Sequence, residues 1–484
     1  MPVPARISRI ASETTGGLPR QFWWLWTSTL VNRLGGFVVT FLALYLTADR
    51  GYSASYAGLV ASLFGLGSAV AALGAGVLAD RVGRRPTLVT AQLGTAVFTA
   101  VLGFSDGPVA IAVVAFLVGL FNNASRPAVS AMIADLVPAE DRVRAYSLNY
   151  WAINIGFGVS AAAAGLIATH GYLTLFLLDA LSTLLCAVII FVRIPETRPE
   201  APAAPHEGSA AGADAARPGT VGGTAGAHTV GLGTVFRDGR FMTVVGLTLL
   251  LALVAQQGST TLAVDMGQAG ISASGYGLVI GLNGLLIVLL QIPVTRLMEG
   301  RNRTALLVAS ALLTGWGFGL TALAGSSAMF FAVTVAVWTI GEIMNAPTMM
   351  GLVAELSPAH ARGRYQGVYS LSWSLASFLG PAVGGLLLQH AGGGAVWGAC
   401  ALCGTLAAAG YLALGRWTSP ARALPAPTGA VPAPSKRPDV APGLAADGLP
   451  DAPALDGAGA ANRAVAVGSA VAADGAGAAR VARD

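Results

Sequence analysis

The sequence predicts an all-α integral membrane protein, with twelve transmembrane helices arranged in two pseudo-symmetric six-helix bundles. Three observations support this prediction: the composition is strongly apolar, stretches long enough to cross a bilayer recur along the chain, and one passage occurs twice. Only 11% of the residues are charged, 54% are hydrophobic, and the mean hydropathy is +0.67. Because soluble domains carry about 25% charged residues, a bilayer is the natural solvent for this chain.

The apolar stretches set the number of spans. Each membrane span requires about 20 apolar residues to cross ~30 Å of hydrocarbon. All spans are expected to be helices, because unpaired backbone groups are not tolerated against lipid. Twelve segments meet this requirement, near 22–47, 54–79, 86–104, 109–133, 147–168, 172–193, 241–263, 274–297, 304–323, 328–352, 368–389 and 394–415.

The duplicated passage defines the two bundles. Residues 122–170 and 342–390 align with each other without a gap. The recurring positions include Pro127 and Pro347, Asp135 and Glu355, Arg142 and Arg362, Gly165 and Gly385, and His170 and His390. Two copies of one folding unit in so apolar a chain are typical of a transporter whose halves are related by an axis along the membrane normal. The sequence therefore indicates movement of a solute across a membrane.

The basic residues predict the orientation. A pI near 9.3 is typical of some nucleic-acid-binding proteins. The positions of the 28 Lys and Arg residues therefore have to show whether they indicate nucleic-acid binding or orientation in the membrane. With the N-terminus inside, only Arg50 falls on the outer side, and Arg33 and Arg126 lie deep within spans. This asymmetry follows the positive-inside rule. It predicts a multi-pass protein of the cell (cytoplasmic) membrane with both termini cytoplasmic, and it requires no nucleic-acid partner.

The domain organisation follows from the spans and from the composition between them. A cytoplasmic segment over 1–21 is followed by the first bundle over 22–195, a cytoplasmic linker over 196–240, the second bundle over 241–417 and a tail over 418–484. The linker and the tail are rich in Ala, Pro and Gly, so we expect a flexible linker and a disordered tail. The first segment has no apolar core of a cleaved signal, and span 1 is expected to be retained.

The loop between spans 2 and 3 carries a family signature. It reads Gly76-Val-Leu-Ala-Asp80-Arg81-Val-Gly83-Arg84-Arg85. This resembles the G-x-L-x-D-R-x-G-R-R/K signature of the Major Facilitator Superfamily, and the resemblance covers about residues 20–415. It implies the Major Facilitator fold and transport by alternating access, in which two six-helix halves rock around a site at the membrane midplane.

The resemblance also implies roles for these loop residues. Gly76 is expected to let a neighbouring helix approach closely. Asp80 would latch the two halves on the cytoplasmic side by capping a helix such as span 11, and Arg84 would pair with Asp135 as a second clasp. In the second half the cations remain but the acid has moved to Glu299, which favours a latch on the first-half side. The alternative is that these residues only set the topology.

Two shorter motifs bear on the transport reaction. Span 11 contains Gly380-Pro381-Ala-Val-Gly384-Gly385, similar to the G-P-x-x-G-G signature that drug:proton antiporters usually carry in span 5. Span 5 of this chain lacks the proline. The resemblance implies proton-coupled efflux of an amphiphilic small molecule. Asn32-Arg33-Leu-Gly35-Gly36 in span 1 is similar to proton-coupled peptide transporters, which keeps uptake of a peptide or sugar as the alternative.

Charged residues inside spans identify a candidate site. An ionised side chain at mid-membrane costs at least about 2.5–3.5 kcal/mol on insertion scales, so each requires a partner or a purpose. In the superfamily, spans 1, 4, 7 and 10 line the central cavity. The resemblance therefore places a set of polar residues around it, to which span 5 adds two. The predicted cavity residues are Arg33, Asn122, Arg126, Trp151, Asn154, Gln256, Gln257 and Glu342.

Glu342 is the predicted proton carrier. It lies near the midplane, and Asn122 occupies its position in the duplicated passage. Removal from water disfavours a charged carboxylate and an approaching cation favours it, which are the properties needed to bind and release protons. The alternative is that Glu342 is a fixed structural partner of Arg33 or Arg126. For Asp179 in span 6 we expect a structural role.

The remaining motifs exclude other classes of protein. The only lysine is Lys436 in the tail, so the phosphate-binding loop of an ATP-driven pump is absent from this sequence. There is no H-E-x-x-H, no convincing G-x-S-x-G, and no His or Cys cluster with metal-ligand spacing. We therefore expect no enzyme activity, no cofactor and no metal. The expected partners are a small-molecule substrate, protons and the lipid bilayer, for a monomer. A non-transporting sensor of the same fold is the remaining alternative.

Overall fold

The computed structural model describes residues 16–197, 232–358 and 361–418. Within these ranges every regular element is a helix. The predicted linker beyond residue 197 and the tail beyond residue 418 lie outside the described residues, so the domain boundaries drawn there stay predictions.

The described helices reproduce the predicted spans. They are labelled by span, from α1 to α12. The first half contains α1a (Arg20–Leu34), α1b (Val38–Leu44), α2 (Ala54–Val82), α3 (Arg84–Phe104), α4 (Pro108–Leu136), α5 (Arg142–Ala168) and α6 (Tyr172–Arg193). The second half contains α7a (Gly239–Ala255), α7b (Thr261–Gln268), α8 (Ala273–Met298), α9 (Arg303–Gly319), α10 (Ala328–Leu356) and a final helix over Arg362–Thr418. A short helix, Leu232–Arg237, precedes α7a.

The last helix is two spans in one. Among the described residues, eleven helices are long and apolar enough to cross a membrane. The eleventh has 57 residues, which is far more than one crossing requires, and Gly392 interrupts it with φ 76° and ψ 172°. We call the parts before and after Gly392 α11 and α12. Glycine adopts this backbone conformation without steric cost, so the chain turns back there and the predicted twelve crossings are obtained.

The first span of each half is broken, which the sequence analysis did not predict. The α1a helix ends before Gly35, where a Cβ atom would lie 1.8 Å from Ser182 Oγ, so only glycine permits this approach of α6. In the seventh span a 3-10 turn over Gln256–Ser259 leads to Thr260, whose φ of −126° and ψ of −72° are not helical. Breaks at corresponding positions of two repeats are typical of substrate sites in secondary transporters.

Three hydrophobic cores show how the halves meet. One core contains side chains of both halves, including Phe41 of α1b and Tyr276 of α8, whose ring centroids are 5.2 Å apart. It lies toward the end of the bundle that carries Arg50, which we call the Arg50 end. The other two cores each belong to one half and lie toward the opposite end, which carries Arg84 and Arg303 and which we call the basic end. Among the described residues, the core that joins the two halves therefore lies at the Arg50 end.

Backbone contacts between the halves agree with this arrangement. A Cβ atom at Gly58 of α2 would lie 2.4 Å from the carbonyl oxygen of Pro381 in α11, and one at Gly65 would lie 2.1 Å from that of Ser377. Toward the basic end of α2, the Cβ position of Gly76 has no atom of the described chain within 4 Å. The close approach of a helix predicted at Gly76 is therefore not observed among the described residues in this conformation.

Candidate transport site

Two adjoining cavities lie between the halves. One has a volume of about 430 Å³ and is lined by Arg33, Arg126 and Asn122, and we call it the arginine cavity. The other has a volume of about 470 Å³ and is lined by Glu342, and we call it the glutamate cavity. Gln256, Ser259 and Trp373 line both of them. The break in the seventh span thus places polar groups at the boundary between the two cavities.

The arginine cavity contains two cations without partners in the described part of the chain. Arg33 is the penultimate residue of α1a, and Gly156 of α5 packs against its backbone and Cβ. The Nε atom of Arg33 is buried without a hydrogen-bond partner. Arg126 of α4 is exposed to the cavity and is near enough to Arg33 for the two charges to repel each other. Among the described residues, neither guanidinium forms a hydrogen bond or an ion pair.

Asp179 lies near Arg33, but its carboxylate hydrogen-bonds to other groups. Its Oδ2 accepts a hydrogen bond from the backbone N–H of Val38 at 3.0 Å, and its Oδ1 accepts one from Thr183 Oγ1 at 3.4 Å. Val38 is the first residue of α1b, where unpaired N–H groups favour a negative charge. Asp179 therefore holds the broken end of α1b against α6, and these contacts agree with the structural role expected for it.

The glutamate cavity contains an acid whose nearest partner is neutral. Glu342 lies at the midpoint of α10, and its side chain is accessible from the cavity although the bundle surrounds it. Asn283 Nδ2 of α8 donates hydrogen bonds to Glu342 Oε2 at 3.1 Å and to Thr339 Oγ1 at 3.0 Å. The alternative in which Glu342 is the fixed partner of Arg33 or Arg126 is not observed, because neither arginine lines this cavity.

Two features of the glutamate cavity were not predicted from the sequence. The first is Asn283, an amide in the middle of an apolar span, which is the signal that could have marked α8 as a cavity helix. The second is aromatic: the rings of Phe318 and Trp338 are stacked with centroids 4.9 Å apart and line the cavity together with Tyr369 and Trp373. We call these four side chains the aromatic wall.

Three predicted cavity residues lie elsewhere. Gln257 is buried, and its Nε2 donates to the carbonyl oxygen of Gly380 at 3.0 Å, so it fastens the seventh span to α11. Asn154 donates to the carbonyl oxygen of Tyr150 at 2.9 Å within its own helix. Trp151 is 39% exposed, and neither it nor Asn154 lines the arginine or the glutamate cavity. Another residue of α5, Phe157, lines the glutamate cavity.

The predicted ion pair of the signature loop is present. Arg84 Nε donates to Asp135 Oδ2 at 2.9 Å. Arg303 and Glu355 form an ion pair between α9 and α10, and Glu355 is the duplicate of Asp135. Each pair joins two helices of one half, so neither is a clasp between the halves.

The other signature residues shape the start of α3. Gly83 has φ 121°, which favours glycine. Glu196 accepts hydrogen bonds from the backbone N–H groups of Arg84 at 2.9 Å and Arg85 at 3.2 Å, and so caps α3. The guanidinium of Arg85 lies 4.7 Å from the ring centroid of Phe191. Arg81 is exposed. The side chain of Asp80 lies outside the described part of the chain, so its role as a latch stays a prediction.

Comparison with known proteins identifies the family. The sequence matches the family model of the Major Facilitator Superfamily over residues 25–381 and 258–449. It is 24% identical to the uncharacterized MFS-type transporter YhjO of Bacillus subtilis over 377 residues, which cover 77% of this chain and 88% of that protein. It is also 24% identical to a Na(+), Li(+), K(+)/H(+) antiporter of Planococcus maritimus, covering 74% and 88%. The multidrug resistance protein MdtH of Cronobacter sakazakii is 25% identical, covering 73% and 83%.

Solved structures support the same fold. A POT family transporter in complex with 5-aminolevulinic acid superposes with a TM-score of 0.66 at 16% identity, covering 83% of this chain and 97% of that one. A mutant form of the nucleoside transporter NupG superposes with a TM-score of 0.65 at 14% identity, covering 82% and 100%. The family match agrees with the fold and with the breaks in the first and seventh spans. We conclude that this chain belongs to the Major Facilitator Superfamily, as a multi-pass membrane transporter and not an enzyme.

Proposed function

We propose that this protein is a proton-coupled secondary transporter that exports an amphiphilic small molecule by alternating access, with Glu342 as the proton carrier. The observation that carries the proposal is the environment of Glu342. Its carboxylate lies at the midpoint of α10, opens on an internal cavity, and is hydrogen-bonded to the neutral Asn283. A carboxylate fixed by an arginine would stay ionised, whereas one held by an amide changes its protonation state more readily.

The shape of the cavities supports a small-molecule cargo. Volumes of about 430 and 470 Å³ lie within the range of ligand sites in proteins. The arginine cavity is polar and the glutamate cavity has the aromatic wall, so an amphiphilic molecule would find a suitable surface in each. Export in exchange for protons is favoured by the similarity to a multidrug resistance protein and to a cation/proton antiporter.

Uptake of a solute together with protons is the second candidate. It is favoured by the two guanidiniums of Arg33 and Arg126, which the described chain leaves unpaired. An anion bound beside them would also lie next to the glutamate cavity, where it would favour the protonated form of Glu342. Substrate and proton would then be bound together, as uptake with protons requires.

A flux measurement tests the proposal. The purified chain would be reconstituted into liposomes, and compounds that stabilise it against heat would be offered as substrates under an imposed pH gradient. We expect movement of the compound against its own gradient, in the direction opposite to the protons, and loss of this movement when a protonophore is added. Movement that does not depend on the pH gradient would contradict proton coupling. Movement in the same direction as the protons would favour uptake over export.

The orientation is tested separately by cysteine labelling. We expect a cysteine at Glu299 of the basic end to react with an impermeant thiol reagent only from the cytoplasm, and one at Ser326 of the Arg50 end only from outside. The reason is the excess of arginine at the basic end. The background would have Cys186, Cys400 and Cys403 replaced. With this orientation the structure is open to the cytoplasm, and the reverse labelling pattern would refute it.

A further inference from the structure

The charges of the arginine cavity bear on the chemistry of the cargo. We infer that the substrate is an organic anion, whose acidic group binds between Arg33 and Arg126 while its apolar part lies against the aromatic wall. This inference rests on the proposal that the two cavities form the transport site. It adds a substrate class to that proposal, and it does not depend on the direction of transport or on proton coupling.

In the described chain, no acidic side chain forms an ion pair with these arginines. Among the described residues, no aspartate or glutamate lines the arginine cavity. Asp179, the acid that acts on Arg33, uses its oxygens for the N–H of Val38 and for Thr183. Glu342 lines the other cavity and is hydrogen-bonded to Asn283. Neither of these described acids forms an ion pair with the two arginines, so the cavity keeps a net positive charge, which is unfavourable until an anion binds.

The second step is the geometry of the donors. A guanidinium presents five N–H donors in a planar fork that matches a carboxylate or a phosphate. The buried Nε of Arg33 is without an acceptor in the described chain, and Arg126 is exposed to the same cavity. The side-chain amide of Asn122 lines the cavity beside them and supplies a neutral donor. Such a set suits an oxyanion better than a cation or an uncharged group.

The third step concerns the rest of the molecule. The glutamate cavity adjoins the arginine cavity through Gln256, Ser259 and Trp373, so one ligand reaches into both. There the partly exposed rings of Tyr369 and Trp373 provide an apolar face, backed by the buried, stacked rings of Phe318 and Trp338. Inorganic anions would leave this face uncovered. An aromatic or aliphatic body carrying one acidic group fills both surfaces.

The experiment uses three probes that share one ring system and differ in charge: 2-naphthoate, 2-naphthamide and 2-naphthylmethylamine. Their binding to the purified full-length chain in detergent would be measured by thermal stabilisation and by titration calorimetry, without any ion gradient. We expect 2-naphthoate alone to raise the melting temperature. In Arg126→Gln its affinity should fall by at least about 10-fold, since the bidentate contact is lost.

Two further variants separate binding from folding. Arg126→Lys keeps the charge without the planar fork, so affinity for 2-naphthoate should lie between wild type and Arg126→Gln. Arg50→Gln removes an arginine that is paired with Asp106 at the surface, and it should bind like wild type. The melting temperature of unliganded Arg126→Gln should not fall, because the change relieves the repulsion of Arg33.

Opposite outcomes overturn the inference. Equal binding of the amide or the amine, failure of the carboxylate to stabilise the protein, or unchanged carboxylate affinity in Arg126→Gln would each exclude an anion site here. The proposed function fails in a different way: arginine-dependent binding of 2-naphthoate without proton-driven flux would leave the substrate class standing and remove the proton coupling.

Discussion

Glu342→Gln is expected to abolish transport driven by a pH gradient while substrate binding and substrate exchange persist. The amide has the size and the hydrogen-bonding groups of the carboxylic acid but does not titrate. Asn283 still has an acceptor in the variant, because the amide oxygen takes the place of Glu342 Oε2. Gradient-driven flux and gradient-free exchange would be measured on the same reconstituted sample.

The matched control is Glu355→Gln on the same helix. Glu355 is exposed at the basic end and pairs with Arg303 there. Exposed pairs of this kind contribute about 0–1 kcal/mol, so the control should transport nearly as well as wild type. If Glu342 were instead a structural partner of a buried cation, its replacement would cost roughly 3–5 kcal/mol and lower the yield of folded protein. Retained gradient-driven transport by Glu342→Gln would refute the proton-carrier assignment.

Gly58→Leu is expected to open the Arg50 end. At Gly58 a Cβ atom alone would lie 2.4 Å from the carbonyl oxygen of Pro381 and 3.0 Å from Cα of Gly385, so α2 and α11 have to separate. Overpacking of this kind typically costs about 1–3 kcal/mol, which corresponds to a shift in the balance of conformations of about 5–150-fold. We expect longer distances between spin labels at Asp106 and Ser326, and loss of transport.

Gly74→Leu provides the control for this change. It makes the same substitution on the same helix, but no atom of the described chain lies within 4 Å of the Cβ position of Gly74. Label distances and transport should stay close to wild type. An unchanged distance distribution in Gly58→Leu would mean that the contact of α2 with α11 does not hold the Arg50 end closed.

The number and order of the spans could be predicted from the sequence, because lipid imposes a minimum apolar length on every crossing. The breaks in the first and seventh spans could not. Gly35 is required by the approach of Ser182, and the second break lies in the short polar stretch Gln256–Ser259 of a span that is apolar overall, so hydropathy identifies both spans without showing that they are broken. A break of this kind depends on which helix packs alongside, and this is tertiary information.

Only part of the candidate site could be predicted, because charged and neutral polar side chains differ in how clearly they indicate a cavity. Charges inside the spans identified Arg33, Arg126 and Glu342, since an ionised side chain there is rare enough to be informative. An amide carries a weaker signal: Gln256 and Gln257 are adjacent, yet only Gln256 faces the cavities, while Gln257 bonds to Gly380. Which of the two faces the cavities is decided by the 3-10 turn, which no periodicity in the sequence reveals.

Separate candidate sites for an anion and for a proton have an electrical consequence. Arg33 and Arg126 belong to the first half, and Glu342 belongs to the second. For a monoanionic substrate, export in exchange for one proton moves two elementary charges per cycle in the same electrical direction, whereas uptake with one proton moves none. A membrane potential of about 100 mV is worth about 2.3 kcal/mol per elementary charge, so it would add about 4.6 kcal/mol to each exchange cycle and nothing to uptake. In exporting such an anion, the protein would draw on the voltage across the membrane as well as on the pH difference.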